Sequence, residues 1–392
     1  MTPAARVQAA IELLAEIIAA ARGGGAAADT LIARYFRTRR YAGSKDRRAV
    51  RDLIFRAIRR AGEVPASGRA AMLGLAREDP ALLDLFDGSP HGPAAPSPDE
   101  EAAPAGLAPA WLLDRFDPLI GPEALSALLE RAPLDLRVNR LKGSRETALA
   151  ELPEAAPTPH SSLGLRMPEG TRVETLPAWE TGLVEVQDEG SQLICLAAGA
   201  RPGGLVVDLC AGAGGKTLAL AAEMGGQGRI LACDADRGRL GRMSPRLERA
   251  GVTIVESRLL DPGRERAALA DLAGAADLVL VDAPCSGTGT WRRNPETRWR
   301  TTPRRLEQLT ALQARLLGIG AELVGPGGHL VYAVCSLLAE EGREQAQGLE
   351  RRSSLVPEPL IMAAGRAAGS GWLLSPDHDG TDGFFVARWR RP

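Results

Sequence analysis

The stretch LVVDLCAGAGGKT, residues 205–217, joins a short apolar run to a glycine-rich turn and the start of a helical pattern. After residue 190, further short apolar runs alternate with helical stretches. The runs lie at 230–233, 253–255, 278–281 and 330–334, and the helical stretches at 237–250 and 304–324. Buried strands that alternate with helices are typical of a doubly wound parallel sheet, which holds ligands at the carboxyl ends of its strands. We therefore predict a Rossmann-like α/β domain, closed by an antiparallel hairpin of 372–375 and 383–389.

The earlier part of the chain has other patterns. It begins with apolar residues at helical spacing and almost no strand signal, which predicts an all-α domain. A stretch rich in proline, alanine and acidic residues follows and predicts a linker. Beyond it, two helical stretches precede the strand-like 134–141, which predicts a small α/β segment. The predicted bounds are 1–85 for the all-α domain, 86–106 for the linker, 107–180 for the small segment and 181–392 for the Rossmann-like domain.

The composition of the 392 residues, 45% hydrophobic and 25% charged, is typical of a globular protein. No apolar run approaches the roughly 20 residues that a membrane helix needs. Charges within residues 3–21 favour an amphipathic helix over a signal peptide, so we expect a cytoplasmic protein without membrane contact. The five cysteines contain no CxxC and the four histidines are scattered, which argues against disulfides and a metal site. We expect a monomer.

Basic residues are concentrated in two segments although the net charge is only −1. The first segment, 34–60, contains eleven basic residues and only two acidic ones, Asp46 and Asp52. The second follows the Cys285 loop and contains Arg292, Arg293, Arg298, Arg300, Arg304 and Arg305. Such runs form either a solvated helix face or a surface that binds nucleic acid.

The glycine-rich turn misses two known phosphate-binding patterns by one residue each. A Walker loop would need glycine where Cys210 stands, and a dinucleotide loop would need glycine at Thr217. A turn that has only a structural role remains an alternative interpretation. The next strand ends in Asp234, which a parallel sheet would place beside the turn, where an acid can accept hydrogen bonds from ribose hydroxyls. A ribose-binding acid without phosphate-binding geometry favours a phosphate-free nucleoside, of which S-adenosylmethionine is the obvious one.

Cys285 and Cys335 each follow an apolar run, in DLVLVDAPCSGTGT (277–290) and HLVYAVCSL (329–337). Carbon 5 of cytosine cannot take a methyl group directly, but a thiolate that adds at carbon 6 activates it. Such a thiolate needs positive charge nearby, and Lys216 is one candidate for that charge. Asp282 could bind the base edge that carries N3 and the exocyclic amine. For Cys195, Cys233 and Cys210 the alternative of a small buried apolar residue stays open, and is favoured for the first two.

Several ordered motifs together resemble the RsmB/NOP2/Sun family of RNA cytosine-5 methyltransferases. The motifs are DLCAGAGGKT (208–217), DAPCSGTGTWRRNPETRW (282–299), AVCS (333–336) and GTDGFFVARW (380–389), with EVQDEGSQL (185–193) and LRVNRLK (136–142) also similar. The resemblance covers roughly 107–392 and implies a class I methyltransferase domain. It implies that Cys335 attacks carbon 6 and that Cys285 assists elimination and release.

The same resemblance implies a set of cofactor contacts. They are Cys210, Ala211, Gly212, Ala213, Gly214, Gly215, Lys216, Asp234, Asp261 and Asp282, with Asp261 one residue out of register. Two positions depart from the family pattern: Val334 replaces a threonine, and Gly212-Ala213 replaces Ala-Pro.

The N-terminal segment resembles the NusB-like RNA-binding domain of the bacterial RsmB branch, mostly over RTRRYAGSKDRRAV (37–50). This resemblance implies small-subunit 16S ribosomal RNA as the substrate. The target cytosine would leave its stack, and Trp291 and Trp299 would serve either as stacking platforms or as core residues. Other RNA (23S or transfer RNA), a degenerate assembly factor, and a P-loop nucleotidase with Lys216 and Thr217 on phosphate stay as alternatives.

Overall fold

A computed structural model describes all residues, 1–392, and divides them into two compact units. The helical unit comprises Met1–Phe116, Leu125–Glu130 and Thr290–Arg305. The α/β unit comprises Asp117–Ala124, Arg131–Gly289 and Leu306–Pro392. No helix of the chain is both long enough and apolar enough to cross a membrane.

The helical unit is built around α1, whose apolar residues face the other helices. Thr2 caps its first turn by accepting a hydrogen bond from the Ala5 N–H at 3.2 Å, and Gly24 ends it at a φ of 70°. Val7, Leu14 and Ile17 of α1 are completely buried. The helices are α1 Pro3–Gly23, α2 Ala28–Thr38, α3 Ser44–Arg60, α4 Gly68–Ala76, α5 Pro80–Leu83, α6 Ala110–Leu113 and α7 Pro122–Ala127, the last divided between the units.

Residues 86–106 contain no helix or strand but lie against the helices of this unit. The Ala103 N–H donates to the Ala70 carbonyl at 2.9 Å, and the Gly106 N–H donates to the Arg60 carbonyl at 2.9 Å. Ala103 is 3% exposed. The stretch that composition predicts as a linker is therefore a packed part of the helical unit, since its backbone groups and its small side chains find partners there.

Residues 290–305, which follow the Cys285 loop, belong to the helical unit and supply part of its core. Trp299 is 3% exposed and donates from its indole Nε1 to the Ala61 carbonyl at 2.9 Å. Arg298 is completely buried and donates to the carbonyls of Ile58, Arg59 and Leu107. The first two are orphan carbonyls at the C-terminal end of α3, which need donors from outside the helix.

Two more side chains of this segment bind backbone groups in the loop between α1 and α2 and at the start of α2. The Glu296 carboxylate accepts a hydrogen bond from the Ala28 N–H at the start of α2, at 3.1 Å. Arg300 donates to the carbonyls of Gly25 and Ala26 at 2.7 and 2.6 Å. Trp291 is also fully buried, edge-on to Phe116. Both tryptophans are thus core residues, and Arg298 and Arg300 bind backbone carbonyls of the protein itself.

The α/β unit begins with a small antiparallel sheet of strand order β2-β3-β1-β4. Leu136 pairs with Leu165 on one side and with Val186 on the other. Leu136, Leu165 and Val184 are fully buried, so alternate positions of these strands build a core of their own. Its elements are β1 Leu134–Val138, α8 Arg145–Glu151, β2 Ala156–Pro157, β3 Gly164–Met167, α9 Pro177–Glu180 and β4 Val184–Val186.

The main sheet confirms the predicted Rossmann-like class. Its order is β11-β12-β13-β9-β8-β5-β6-β7, with β10 paired to β13. β5 to β9 run parallel, whereas β13 pairs antiparallel with β9 and β12, as the predicted closing hairpin requires. The strands are β5 Leu205–Asp208, β6 Arg229–Asp234, β7 Val255–Leu259, β8 Ala276–Asp282, β9 Val324–Val334, β10 Val356–Pro357, β11 Arg366–Ala368, β12 Gly371–Leu374 and β13 Phe384–Arg390.

Helices connect these strands. They are α10 Glu189–Ala198, α11 Gly215–Glu223, α12 Arg237–Gly241, α13 Met243–Ala250, α14 Glu265–Ala268, α15 Pro303–Leu323, α16 Arg343–Arg352 and α17 Pro376–Asp379. Strand β7 begins at the last residue of the apolar run predicted at 253–255. It lies at the edge of the parallel part of the sheet, and it therefore carries the charged Glu256 and Arg258 in place of further apolar residues. The strand order changes direction at β5, between β6 and β8, and such a switch point is where doubly wound folds bind ligands.

Candidate active site

The glycine-rich turn connects β5 to α11 at this switch point. Gly212 and Gly214 have φ values of 57° and 84°, which side chains other than glycine rarely adopt. A Cβ at Gly214 would lie 2.6 Å from Cγ of Met243, so that position has no room for a side chain. At Gly215, by contrast, an added Cβ would meet nothing within 4 Å. The turn is therefore tight against the protein at Gly214 and open at the first residue of α11.

Two residues that a Walker loop would direct at phosphate are engaged elsewhere. The Thr217 hydroxyl is buried and donates to the Asp208 carboxylate at 2.7 Å. Nζ of Lys216 lies 2.6 Å from Oδ2 of Asp282 at the end of β8. Burial alone would lower the pKa of Lys216, but the charge and the hydrogen bond of Asp282, together with the neighbouring Cys195 and Cys335, outweigh it and the pKa is raised. The Lys216 ammonium thus stays charged beside Asp282.

Asp208 is the buried acid below the turn. It is 1% exposed, and burial raises its pKa to about 7 despite the Thr217 hydrogen bond. Its Oδ1 atom has no hydrogen-bond partner. Sequence patterns do not distinguish this aspartate from the solvent-facing acids at the other strand ends.

Asp234 lies beside the glycine turn, where the parallel pairing of β5 and β6 places it. Its carboxylate accepts hydrogen bonds from the N–H groups of Gly212 and Asp236, both at 2.8 Å. Arg239, which is half-exposed, approaches the same carboxylate at 3.6 Å. Asp261, two residues beyond the end of β7, is exposed. The turn, Asp234, Asp261 and Asp282 therefore follow four adjacent parallel strands at their carboxyl ends.

The two candidate thiols lie next to each other. Sγ of Cys285 is 3.4 Å from Sγ of Cys335, because β8 and β9 are neighbouring parallel strands and each cysteine follows its strand within a few residues. The hydrogen bond to Cys335, burial, and the negative charges of Cys335 and Glu341 raise the pKa of Cys285 well above its usual value. Cys285 therefore holds its proton and can donate it to the Cys335 sulfur.

The other three cysteines are less suited to chemistry. Burial raises the pKa of both Cys195 and Cys233 to about 12, and both side chains are fully enclosed. Burial also raises the pKa of Cys210. Val334, before the candidate nucleophile, is fully buried in β9, so its methyl groups fill the core rather than the site. No group of three or more His, Cys, Asp or Glu side chains could hold a metal ion.

Glu341 is the site residue that sequence reasoning missed. It is completely buried between β9 and α16, and its carboxylate contacts the residues that follow both thiols, Ser286 and Ser336. It lies six positions after Cys335 and outside the motifs quoted above, and its contacts form only when the loops fold together.

A family model described as 16S rRNA methyltransferase RsmB/F matches residues 196–390. A probable ribosomal RNA small subunit methyltransferase B of Synechocystis is 35% identical over 303 residues, which are 72% of this chain and 66% of that protein. The chain thus spans just under two thirds of the length of that relative.

Two solved structures are also similar. The crystal structure of PH0851 aligns with a TM-score of 0.79 at 24% identity, over 100% of this chain and 99% of that one, and so shares the fold. A methyltransferase homologue from Pyrococcus horikoshii aligns with a TM-score of 0.61 at 29% identity, over 69% of this chain and 90% of that one.

The residues at the switch point fit S-adenosylmethionine. The turn is open at Gly215, the Asp234 carboxylate lies beside it, and the two groups a Walker loop needs are bound to carboxylates. S-adenosylmethionine is the cofactor of this chain, which belongs to the RsmB/F family of methyltransferases.

Proposed function

We propose that this chain transfers a methyl group to carbon 5 of a cytosine in RNA, with 16S ribosomal RNA in the cytoplasm as its substrate. The observation that carries the proposal is the pair of thiols 3.4 Å apart at adjacent strand ends, beside the cofactor turn. The name of the Synechocystis relative supports small-subunit RNA over 23S or transfer RNA.

Cys335 is the proposed nucleophile. Its thiolate adds to carbon 6 of the cytosine, forms the S–C6 bond and moves the electron pair of the C5–C6 double bond to carbon 5. When bound, S-adenosylmethionine would supply an electrophilic methyl group: its S–CH3 bond would break as this electron pair forms the C5–CH3 bond, with S-adenosylhomocysteine as the leaving group. The raised pKa of Cys285 supports Cys335 as the attacking group, because the thiol that keeps its proton is the hydrogen-bond donor and the other is the acceptor.

Cys285 is the proposed base for release. Once the Cys335 sulfur is bonded to carbon 6 it carries no charge, so two of the causes that raise the pKa of Cys285 disappear. Cys285 can then lose its proton to solvent and, as a thiolate, take the proton from carbon 5. The electron pair of that C–H bond re-forms the C5–C6 double bond, and the C6–S bond breaks to return the Cys335 thiolate.

Asp282 and Lys216 are proposed to orient the base. Asp282 keeps 30% of its side chain exposed while Lys216 binds its Oδ2 atom, which leaves the carboxylate accessible to the cytosine edge that carries N3 and the exocyclic amine. The Lys216 ammonium also interacts electrostatically with Cys335.

The cofactor contacts are proposed for the turn 210–216, with Asp234 on the ribose hydroxyls and with Asp261 and Asp282 at the neighbouring strand ends. Asp234 and the turn already share a hydrogen bond through the Gly212 N–H. The proposed role of Asp261 rests on its exposed position after β7.

The helical unit is proposed to bind RNA, as a NusB-like domain would. Arg37, Arg40, Lys45 and Arg48 are exposed around the turn between α2 and α3 and form no ion pair. Arginine and lysine side chains of this kind neutralise RNA phosphates. We call these four residues the basic turn.

The test is to incubate the protein with labelled S-adenosylmethionine and unmodified 16S, 23S and transfer RNA in parallel. Sequencing after bisulfite treatment would map any 5-methylcytosine. We expect label at one or a few cytosines of 16S RNA. Label confined to another RNA would show that 16S RNA is not the substrate. Thermal stabilisation by ATP without stabilisation by S-adenosylmethionine would favour the nucleotidase alternative.

A further inference from the structure

The Glu341 carboxylate contacts the loops of both thiols at once. Its Oε1 atom accepts from the Ser286 N–H at 2.9 Å, and its Oε2 atom accepts from the Ser336 hydroxyl at 2.6 Å and from the Ser286 hydroxyl. Ser286 directly follows Cys285, and Ser336 directly follows Cys335. One carboxylate therefore joins the residues next to the two sulfurs.

A third element supports this arrangement from behind. Gln313 of α15 is completely buried and donates from Nε2 to Oε1 of Glu341 at 2.9 Å and to the Pro284 carbonyl at 2.9 Å. The Tyr332 hydroxyl donates to the backbone carbonyl of Glu341 at 2.6 Å. The carboxylate and the backbone of Glu341 are thus both held in place, on the side of the loops away from solvent.

The chemistry of these contacts is unusual for a residue that only fills space. Every partner of the carboxylate is a donor, so Glu341 acts purely as an acceptor, and no lysine or arginine forms an ion pair with it. Burying a carboxylate without a cation is costly, and apolar residues of similar volume often stabilise a fold equally well. A buried acid at this point is therefore better explained by what it does for the thiols.

We propose that Glu341 is a positioning residue: its carboxylate holds the Cys285 and Cys335 loops in fixed positions relative to each other, so that both thiols face the same cytosine. This inference rests on the proposed function. Glu341 touches neither the cofactor turn nor the sulfurs through a hydrogen bond, and it acts through Ser286 and Ser336. Its charge also contributes to keeping the proton on Cys285 until Cys335 has attacked.

The experiment compares Glu341→Gln with Glu344→Gln, an exposed glutamate three positions away in α16. Single-turnover and steady-state methylation of unmodified 16S RNA give kcat and the KM for S-adenosylmethionine. Independently of RNA, mass spectrometry follows the alkylation of Cys285 by iodoacetamide as a function of pH. A Ser286→Ala/Ser336→Ala variant removes the hydroxyls and keeps the acid.

Glu341→Gln is expected to lower kcat by roughly 10–100-fold with the KM for S-adenosylmethionine unchanged, as for a small displacement of reacting groups. Its alkylation profile for Cys285 should shift to lower pH, because the negative charge is gone. Glu344→Gln should match wild type in both. Adding Glu341→Gln to the double serine variant should lower kcat little further, since both changes weaken the hydroxyl contacts of Glu341 with Ser286 and Ser336.

Three results would each overturn the inference. The first is a wild-type kcat in Glu341→Gln, and the second is an alkylation profile of Cys285 that does not move. The third is a fall in S-adenosylmethionine affinity equal to the fall in kcat. If Glu341→Gln does not fold, the double serine variant decides, and a wild-type kcat there also overturns it. If the wild-type protein methylates no RNA, the proposed function fails, and the alkylation profile alone tests Glu341.

Discussion

Sγ of Cys285 and Sγ of Cys335 lie 3.4 Å apart although fifty residues of chain separate them. The parallel pairing of β8 with β9, in which Asp282 is opposite Ala333, brings the two strand ends to this distance. In the proposed reaction, both thiols therefore act on the C5–C6 bond of a single cytosine, in different steps.

Replacing Cys335 by alanine is expected to abolish methyl transfer, since burial raises the pKa of Cys195, Cys210 and Cys233, and Cys285 is the proposed base for release rather than the group that attacks carbon 6. The measurement is incorporation of labelled methyl groups into unmodified 16S RNA. Cofactor binding should persist, because the glycine turn is untouched. Transfer at the wild-type rate would show that Cys335 is not the nucleophile.

Cys285→Ala should instead accumulate a covalent protein–RNA adduct, because attack still occurs but the proton on carbon 5 has no base. The adduct would survive denaturing electrophoresis and disappear when Cys335 is also replaced. Rapid turnover by Cys285→Ala, without a retained adduct, would assign release to another group.

The buried Asp208 should make stability depend on pH. Its folded pKa of about 7 lies above the ordinary 3.8, so its contribution is fully present below pH 4 and is lost as pH rises to about 7. Relative to Asp208→Asn, the wild-type protein is expected to lose up to about 4 kcal/mol of unfolding free energy over this range. Chemical denaturation of both proteins between pH 4 and 8 measures the difference, and parallel curves would contradict a raised pKa.

Trp299→Ala should destabilise the helical unit by about 3–5 kcal/mol, the usual cost of removing a buried tryptophan. The change empties part of the core and leaves the Ala61 carbonyl without its donor. Arg305→Ala, at an exposed position in the same segment, should stay within about 0.5 kcal/mol of wild type. Equal stabilities of the two variants in denaturant titrations would mean that residues 290–305 contribute little to this core.

The basic turn should determine how RNA affinity depends on salt. Replacing Arg37, Arg40, Lys45 and Arg48 together by alanine is expected to weaken 16S RNA binding and to reduce the slope of log K against log salt by about 3 if all four contact phosphates. Arg229→Ala, which removes an exposed ion pair with Glu256, serves as the control. Point variants are preferable to deletion of residues 1–85, because a deletion would uncover Trp299. An unchanged slope would remove the basic turn from the RNA interface.

Much of the architecture follows from local patterns. Short apolar runs between helical stretches predict the parallel sheet, because strands buried on both faces must be continuously apolar. The edge strand β7 is the exception, since the charged Glu256 and Arg258 interrupt the apolar run from which a strand is predicted. The glycine turn, the strand-end acids and both cysteines are likewise visible as motifs, because a parallel sheet brings the residues after its strands to one edge.

The sequence by itself determined the fold class and the places of the glycine turn and of the two thiols at strand ends, since each depends on residues that are adjacent along the chain. Only the tertiary structure decided where residues 290–305 belong: a run of arginines and tryptophans is compatible with both an RNA surface and a core, and the orphan carbonyls of α3 select the core for Trp299 and Arg298. Tertiary structure alone also brought Glu341 to Ser286, because hydrogen bonds between distant loops leave no periodic trace in the sequence.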